Sequence, residues 1–325
     1  MQTFKVTILI SLVAMPVSAQ DLSYQISGSA GSFSNQYGGF GVSQLRGIGD
    51  SYDRDFVDLS FSVAKESGNG DTFVVAYSRS QFDVFSRFSE DQIHLMNNGI
   101  TQSIVANDKE TDATTFTHDV TFRYLRDRNG YTFGGFAGVG IHNDYGDLDA
   151  EMGYAFVGAE VSRETQFGGV YAQAGMIDAT DNIWMEGIQD APFINVGGRY
   201  ELENGFTLTG SLAYAGGTTG MESYYVYPRS TILVGNNLFN ARIGLERDFG
   251  NMTGSVGYEI THMNTISPKN SSRFFVTDRR FGDTFEQFYV GFNYEFGATA
   301  NHGSPLPSFG NWVAFAENEV EGPVW

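Results

Sequence analysis

The stretch Gln287-Phe288-Tyr289-Val290-Gly291-Phe292-Asn293-Tyr294-Glu295-Phe296 alternates strictly between two kinds of residue. Phe288, Val290, Phe292, Tyr294 and Phe296 form one set, and Gln287, Tyr289, Gly291, Asn293 and Glu295 the other. A period of two places each set on its own face of a β-strand. One face is apolar along its whole length, and the other mixes charge, amide and glycine. Such a strand has an apolar environment on one side and a polar one on the other.

The same pattern recurs upstream. Phe206, Leu208, Gly210, Leu212 and Tyr214 oppose Thr207, Thr209, Ser211 and Ala213, while Phe116, His118, Val120, Phe122 and Tyr124 form the apolar set of an earlier strand. Alternation of this kind predicts twelve strands, near residues 22–33, 55–66, 71–86, 113–126, 131–143, 150–163, 169–178, 190–202, 206–218, 236–249, 252–264 and 284–296. In three of them an apolar-face aromatic is followed eight residues later by another: Phe116 and Tyr124, Phe206 and Tyr214, Phe288 and Phe296. Eight residues of a strand tilted by about 40° climb roughly 20 Å, close to the height of the apolar band between the aromatic girdles of a membrane barrel.

The connections alternate in length. Ser67-Gly68-Asn69-Gly70, Asp127-Arg128-Asn129-Gly130, Asn204-Gly205 and Gly250-Asn251 read as tight turns whose Gly and Asn tolerate positive φ. Longer loops, roughly 35–54, 87–112, 219–235 and 265–283, stand between them. Short turns at one end and long loops at the other are how outer-membrane barrels are built, the turns being periplasmic.

Composition agrees. Glycine at 40 residues and aromatics at 15% are both high, whereas apolar residues at 41% and a mean hydropathy of −0.21 match an ordinary water-soluble chain. A barrel reconciles these because only every second strand residue meets lipid. Zero cysteine excludes disulfides, thiolate metal sites and cysteine nucleophiles.

The amino terminus carries Lys5, an apolar run from Val6 to Ala14, and then Val17-Ser18-Ala19, a small-x-small cleavage site, which predicts a signal peptide over residues 1–19. That run is about half the roughly 20 apolar residues a membrane helix needs. Cleavage removes Lys5 and no acid, leaving 18 basic against 38 acidic residues, a formal charge of −20. Such a surface repels nucleic acid.

At this point the chain resembles the outer-membrane β-barrel superfamily of Gram-negative bacteria. The stretch 287–296 looks like the terminal-strand signal that the superfamily's barrel-assembly machinery reads. The resemblance implies an all-β fold: a single antiparallel transmembrane β-barrel over residues 20–298, of about 12 strands with 10, 14 or 16 as alternatives, in the outer membrane. Members usually stop at the last aromatic residue, whereas this chain continues to Trp325. Residues 299–325 read as a C-terminal periplasmic tail, since Pro305 and Pro307 argue against another strand. The alternative is a plug, with Trp312 and Phe315 folded into the barrel mouth and Glu317, Glu319 and Glu321 facing water or a cationic partner.

By parity, the inward and candidate pore-lining residues are Asp58, Asp119, Arg123, Glu160, Arg199, Arg242, Glu246 and Glu259, with Glu295 beside them. A two-residue turn at Gly250-Asn251 sets Arg242 opposite Glu259 as a cross-strand ion pair, and a four-residue turn at 127–130 sets Arg123 opposite Gly134. Small inward residues at Gly134, Gly138, Gly140, Ser211, Ser255 and Gly257 predict a partly open lumen. The leading expectation is therefore passive, cation-preferring passage of small solutes, as in the general porin family.

Two other classes compete. A lipid hydrolase or lipid A-modifying barrel enzyme needs a histidine near a serine or water nucleophile. His94, His118, His142, His262 and His302 offer no such constellation, so no catalytic residue is expected; His262 is the best placed, with Asn264, Asn236 and Asn240 near it. A closed structural or surface-attachment barrel would use the basic cluster Lys269, Arg273, Arg279 and Arg280 to clamp lipopolysaccharide phosphates. Loop acids Glu90, Asp91, Asp108, Glu110 and Asp112 offer divalent-cation contacts to the same lipid, but no ordered metal motif or cofactor site is present in the sequence. Expected partners are outer-membrane lipid, lipopolysaccharide and the assembly machinery, and the sequence leaves the oligomeric state open.

Overall fold

A closed sheet can bury every backbone donor without water, which is the condition for crossing lipid with strands. The computed structural model describes residues 21–37, 52–86, 111–144, 151–179, 190–223, 230–266 and 280–312. They form twelve strands: β1 (Leu22–Tyr37), β2 (Tyr52–Glu66), β3 (Asp71–Ser86), β4 (Thr111–Arg128), β5 (Tyr131–Asp144), β6 (Glu151–Thr165), β7 (Gly168–Ala179), β8 (Asp190–Glu201), β9 (Phe206–Ser223), β10 (Ser230–Asp248), β11 (Met252–Ile266) and β12 (Arg280–Gly297). Each pairs antiparallel with its sequence neighbours, and β1 pairs with β12 from Ser23↔Gly297 to Tyr37↔Asp283, closing the barrel.

All twelve expected strands are present, so the alternatives of ten, fourteen and sixteen are set aside. The largest boundary differences fall on β9 and β10, which extend to Ser223 and from Ser230. Residues 219–235, expected as a long loop, instead continue the ladder through Gly220↔Leu233 and Thr231↔Glu222. Only residues 224–229 separate the two strands.

Every connection on the side of the chain's amino end is tight. Asn129 at φ 56° and Gly130 at φ 77° form a two-residue hairpin turn between β4 and β5. This turn is shorter than the four residues expected, and it slides the register by two. Arg123 consequently lies opposite Phe136, and Gly134 opposite Leu125. The β10–β11 register is as expected, with Phe249 N donating to Met252 O at 2.7 Å and Arg242 opposite Glu259.

The faces are inverted relative to a water-soluble protein. Val139 and Val290 are each 60% exposed on the outside, whereas Glu160, Gln173, Asn195, Asn240 and Thr261 are buried inside. Rings pack along the short-turn rim of the outer face: Tyr24 on Phe296 with centroids 5.0 Å apart, and Phe73 on Tyr124 at 5.3 Å. An apolar outside with aromatic rims and a polar inside is the arrangement lipid demands of a barrel.

Candidate functional site in the barrel lumen

The inner wall carries two adjacent rows of side chains that follow the hydrogen-bond register. The polar row runs Glu160, Gln173, Asn195, Ala213, Asn240, Thr261 across β6 to β11. Asn195 Nδ2 donates to Gln173 Oε1 at 2.8 Å, Gln173 Nε2 to Glu160 Oε2 at 3.3 Å, and Asn240 Nδ2 to Glu259 Oε1 at 2.7 Å and Thr261 Oγ1 at 2.8 Å. Next to it runs an apolar row of Phe136, Gly158, Gly175, Phe193, Ala215, Leu238 and Met263.

The chain after β12 lies against both rows. Ala298 N donates to Leu22 O at 2.8 Å, turning the chain inward past Gly297. His302 then sits between the first two strands, with Nε2 2.9 Å from Ser23 Oγ and Nδ1 2.7 Å from Ser62 Oγ. The peptide groups beyond it are gripped by charge: Arg123 Nη1 donates to Ser304 O at 2.7 Å and His302 O at 3.3 Å, while Ser304 N donates to Glu160 Oε2 at 3.2 Å. Gln173 Nε2 adds a 3.4 Å contact to Ser304 O, and Arg123 and Glu160 face each other at 3.6 Å. The fit is close enough to dictate glycine at position 303. Its φ is +85°, and a Cβ there would lie 2.2 Å from Arg123 Nη1.

Past Pro305 and Pro307 the tail ends in one helical turn, closed by Trp312 N donating to Ser308 O at 3.1 Å. Phe309 packs 4.3 Å from the Phe156 ring and 4.9 Å from that of Phe193, and Trp312 meets Phe193 edge-on at 6.2 Å. Both are almost fully buried, at 3% and 1% exposure, within one cluster that also contains Tyr154, Ile177, Leu238 and Phe285. Trp312 Nε1 and Asn311 Oδ1 are buried with no hydrogen-bond partner among the described residues. Tail residues 299–312 are therefore a lumen segment, and Phe315, Glu317, Glu319, Glu321 and Trp325 lie outside the described residues.

Each inward position from the sequence can now be located. Asp58 accepts from Ser29 Oγ at 3.0 Å, and Asp119 from Ser78 Oγ at 2.6 Å and Tyr154 Oη at 3.2 Å. Arg123 and Glu160 contact the tail. Arg199 pairs with Glu164 at 3.0 Å where both side chains are exposed beside the short turns. Arg242 and Glu259 are cross-strand neighbours but not an ion pair: Arg242 Nε donates to Tyr289 Oη at 2.8 Å, and Glu259 holds Asn240. Arg242 remains exposed to the lumen, and Glu246 is half-buried four residues further along β10 on the same face.

The inward small residues do not leave open space. A Cβ on Gly138 would lie 2.2 Å from the Phe156 ring, one on Gly140 2.2 Å from Tyr154, and one on Gly257 2.2 Å from the Tyr289 hydroxyl. Each glycine accommodates a large cross-strand partner, so these positions fill the lumen with rings. His142, expected at a loop edge, is instead fully buried on the inner face. His118 faces outward as expected. His262 bonds Thr284 Oγ1 at 2.9 Å on the outer face, whereas Asn240 belongs to the inner row, so the polar group expected around His262 is split between two faces.

Lys269, Arg273 and Arg279 lie outside the described residues, as do His94, Glu90, Asp91, Asp108 and Glu110. Arg280 opens β12, and Asp112 lies in β4. Parity located the inward charges, but it gave no weight to Gln173, Ser23, Ser62 or His302. Gln173 was accessible to the same parity argument.

Even strand number, closure without an edge, tight turns at the end that holds the chain's amino terminus, and an apolar outer belt define this molecule as a closed antiparallel β-barrel of the membrane-spanning kind. No helix among the described residues is long and apolar enough to cross a membrane. No family model matches the sequence, and no curated protein matches it. Among solved structures, the chain is similar to an outer-membrane channel from Pseudomonas putida F1, at 12% identity and a TM-score of 0.49, over 87% of this chain and 97% of that one. It is also similar to the toluene transporter TodX of Pseudomonas putida, at 8% identity and 0.46 over 86% and 91%, and to the outer-membrane protease OmpT of Escherichia coli, at 10% and 0.31 over 88% and 100%.

Proposed function

We propose that this barrel is a gated channel for passive passage of small solutes, held shut by its own C-terminal tail. The observation that carries this reading is the insertion of Phe309 and Trp312 into the apolar row of the inner wall, with Ser304 clamped by Arg123, Glu160 and Gln173 beneath them. A twelve-strand barrel lies between those filled by their own side chains and those with an aqueous bore, so a segment of this size decides whether the lumen conducts. With the tail withdrawn, the inward carboxylates Asp58, Asp119, Glu160, Glu246, Glu259 and Glu295 outnumber Arg123, Arg199 and Arg242, which supports a preference for cations. No catalytic step is part of this reading.

The test is conductance of the refolded protein in a planar lipid bilayer under an asymmetric salt gradient, with and without residues 299–325. The reading expects rare openings for the full chain, sustained conductance for the truncated one, and a cation-selective reversal potential. A folded barrel that stays silent in both forms would replace it with a closed structural barrel.

A further inference from the structure

Arg79 sits on the outer face of β3, and its cross-strand neighbour on β4 is His118. The guanidinium carbon lies 4.6 Å from the centroid of the Phe116 ring. The His118 ring is stacked between those of Phe116 and Tyr77, with centroids 6.5 Å and 6.1 Å away, and its Nδ1 is 2.7 Å from Tyr77 Oη. That contact leaves Nε2 of His118 pointing elsewhere. Among the described residues neither this nitrogen nor the Arg79 guanidinium has a carboxylate or a hydrogen-bond partner.

The height of this pair matters. Phe73 and Tyr124 belong to the rim of rings beside the short turns. Arg79 and His118 stand six residues further along their strands, about 15 Å higher at the usual rise and tilt, and Phe116 two residues beyond that. The outer polar boundary of the membrane is therefore within reach of a snorkelling arginine. Other outward guanidiniums lie at the opposite rim: Arg163 covers and donates to Tyr131, and Arg247 covers Phe206. Arg79 is the outward guanidinium on the long-loop half of the wall whose side chain is described.

A cation against lipid is costly unless a counter-charge comes with it. Among the described side chains none supplies it here, although the protein carries twice as many acids as bases. We propose that Arg79 and His118 form a binding site for the phosphate of an outer-leaflet lipid. The guanidinium gives a forked pair of donors, His118 Nε2 adds a third, and Phe116 holds the guanidinium plane by cation–π contact. In the tautomer where the Tyr77 hydroxyl donates to Nδ1, the imidazole proton sits on Nε2 and faces the ligand. This site is independent of the gated-channel reading, because it lies on the opposite face of the wall from the tail.

The experiment is native mass spectrometry of the folded full-length barrel in detergent, titrated with bis-phosphorylated lipid A and with its dephosphorylated form. Wild type is expected to hold the phosphorylated lipid about tenfold more tightly, the equivalent of one good charge-assisted contact. Arg79→Ala should remove that margin, Arg79→Lys should keep part of it, and His118→Phe should reduce it. Millimolar inorganic phosphate should not displace the lipid, since the acyl chains contribute to its binding. Equal affinity of wild type for the two lipids overturns the proposal with no variant needed. So does an unchanged margin in Arg79→Ala, or displacement by inorganic phosphate, which would mark a free-anion site.

Discussion

Replacing the two aromatic residues at the tip of the tail should open the channel in an order opposite to their size. Trp312 is 1% exposed and Phe309 3%, so truncating either to alanine removes an almost fully buried ring, a loss of about 3–5 kcal/mol. Trp312 differs because its Nε1 is buried without an acceptor among the described residues. Deleting an unpaired buried donor returns about 1–3 kcal/mol. The net effect of Trp312→Ala is then about 2 kcal/mol, a shift of roughly 30-fold in the ratio of open to closed barrels. Phe309→Ala has no such compensation and should shift it by 100-fold or more. Trp312→Phe, which keeps a ring and discards the donor, should leave the barrel at least as closed as wild type. The readout is open probability of single refolded barrels in planar bilayers, with heat-modifiable gel mobility confirming that each variant is folded. If both alanine variants open no more often than wild type, the tail tip is not the gate. If Trp312→Ala exceeds Phe309→Ala, the indole N–H is satisfied when the tail is seated and the compensation argument fails.

Further perturbations test the foot of the tail and the wall. Gly303→Ala places a Cβ against Arg123 at a backbone φ that disfavours it, a cost of about 1–2 kcal/mol; open probability should rise about tenfold. Acidification should also open the barrel. Burial lowers the pKa of His302 from its usual 6.5, and Arg123 lowers it further against an opposing effect of Glu295. The seated tail thus binds fewer protons than the released one, so seating is strongest above about pH 6.5 and weakens as pH falls through that value. Open probability measured from pH 8 to pH 5 should climb at the acid end, and His302→Gln should flatten the curve. Glu259→Gln in the chain lacking residues 299–325 should move the reversal potential toward anions, because Arg242 then has one fewer facing carboxylate; an unchanged potential removes this pair from the conducting wall.

Strand count and facing were legible because lipid enforces period two over ten or more residues at a time, and Phe288 to Phe296 shows it without interruption. The outer ends of β9 and β10 were not, since Gly216-Gly217-Thr218-Thr219-Gly220 has no apolar face to declare, although it pairs with residues 233–237. Inward glycines were located correctly and misread in consequence. A small side chain signals open space only if its cross-strand partner is also small, and Gly138, Gly140 and Gly257 face Phe156, Tyr154 and Tyr289. That test needs the register, and the register turns on details as local as whether two or four residues form the turn at Asn129-Gly130.

The tail was the hardest part to place, because a segment with two prolines and no repeat has no periodicity, and His302 meets Ser23 across 279 residues of chain. Its chemistry nonetheless divides into two unequal halves. At the foot, His302 and Ser304 have hydrogen bonds to side chains of five strands, from Ser23, Ser62, Arg123, Glu160 and Gln173. At the tip, the Phe309 and Trp312 rings gain packing, but Asn311 Oδ1 and Trp312 Nε1 have no polar partner among the described residues. The foot therefore fixes where the tail sits, and the tip sets how tightly it closes. A plug meant to stay in place would satisfy both ends. A foot held by several hydrogen bonds and a tip held by ring packing can part company, the tip releasing while the foot stays anchored, which is the division of labour the proposed gate requires.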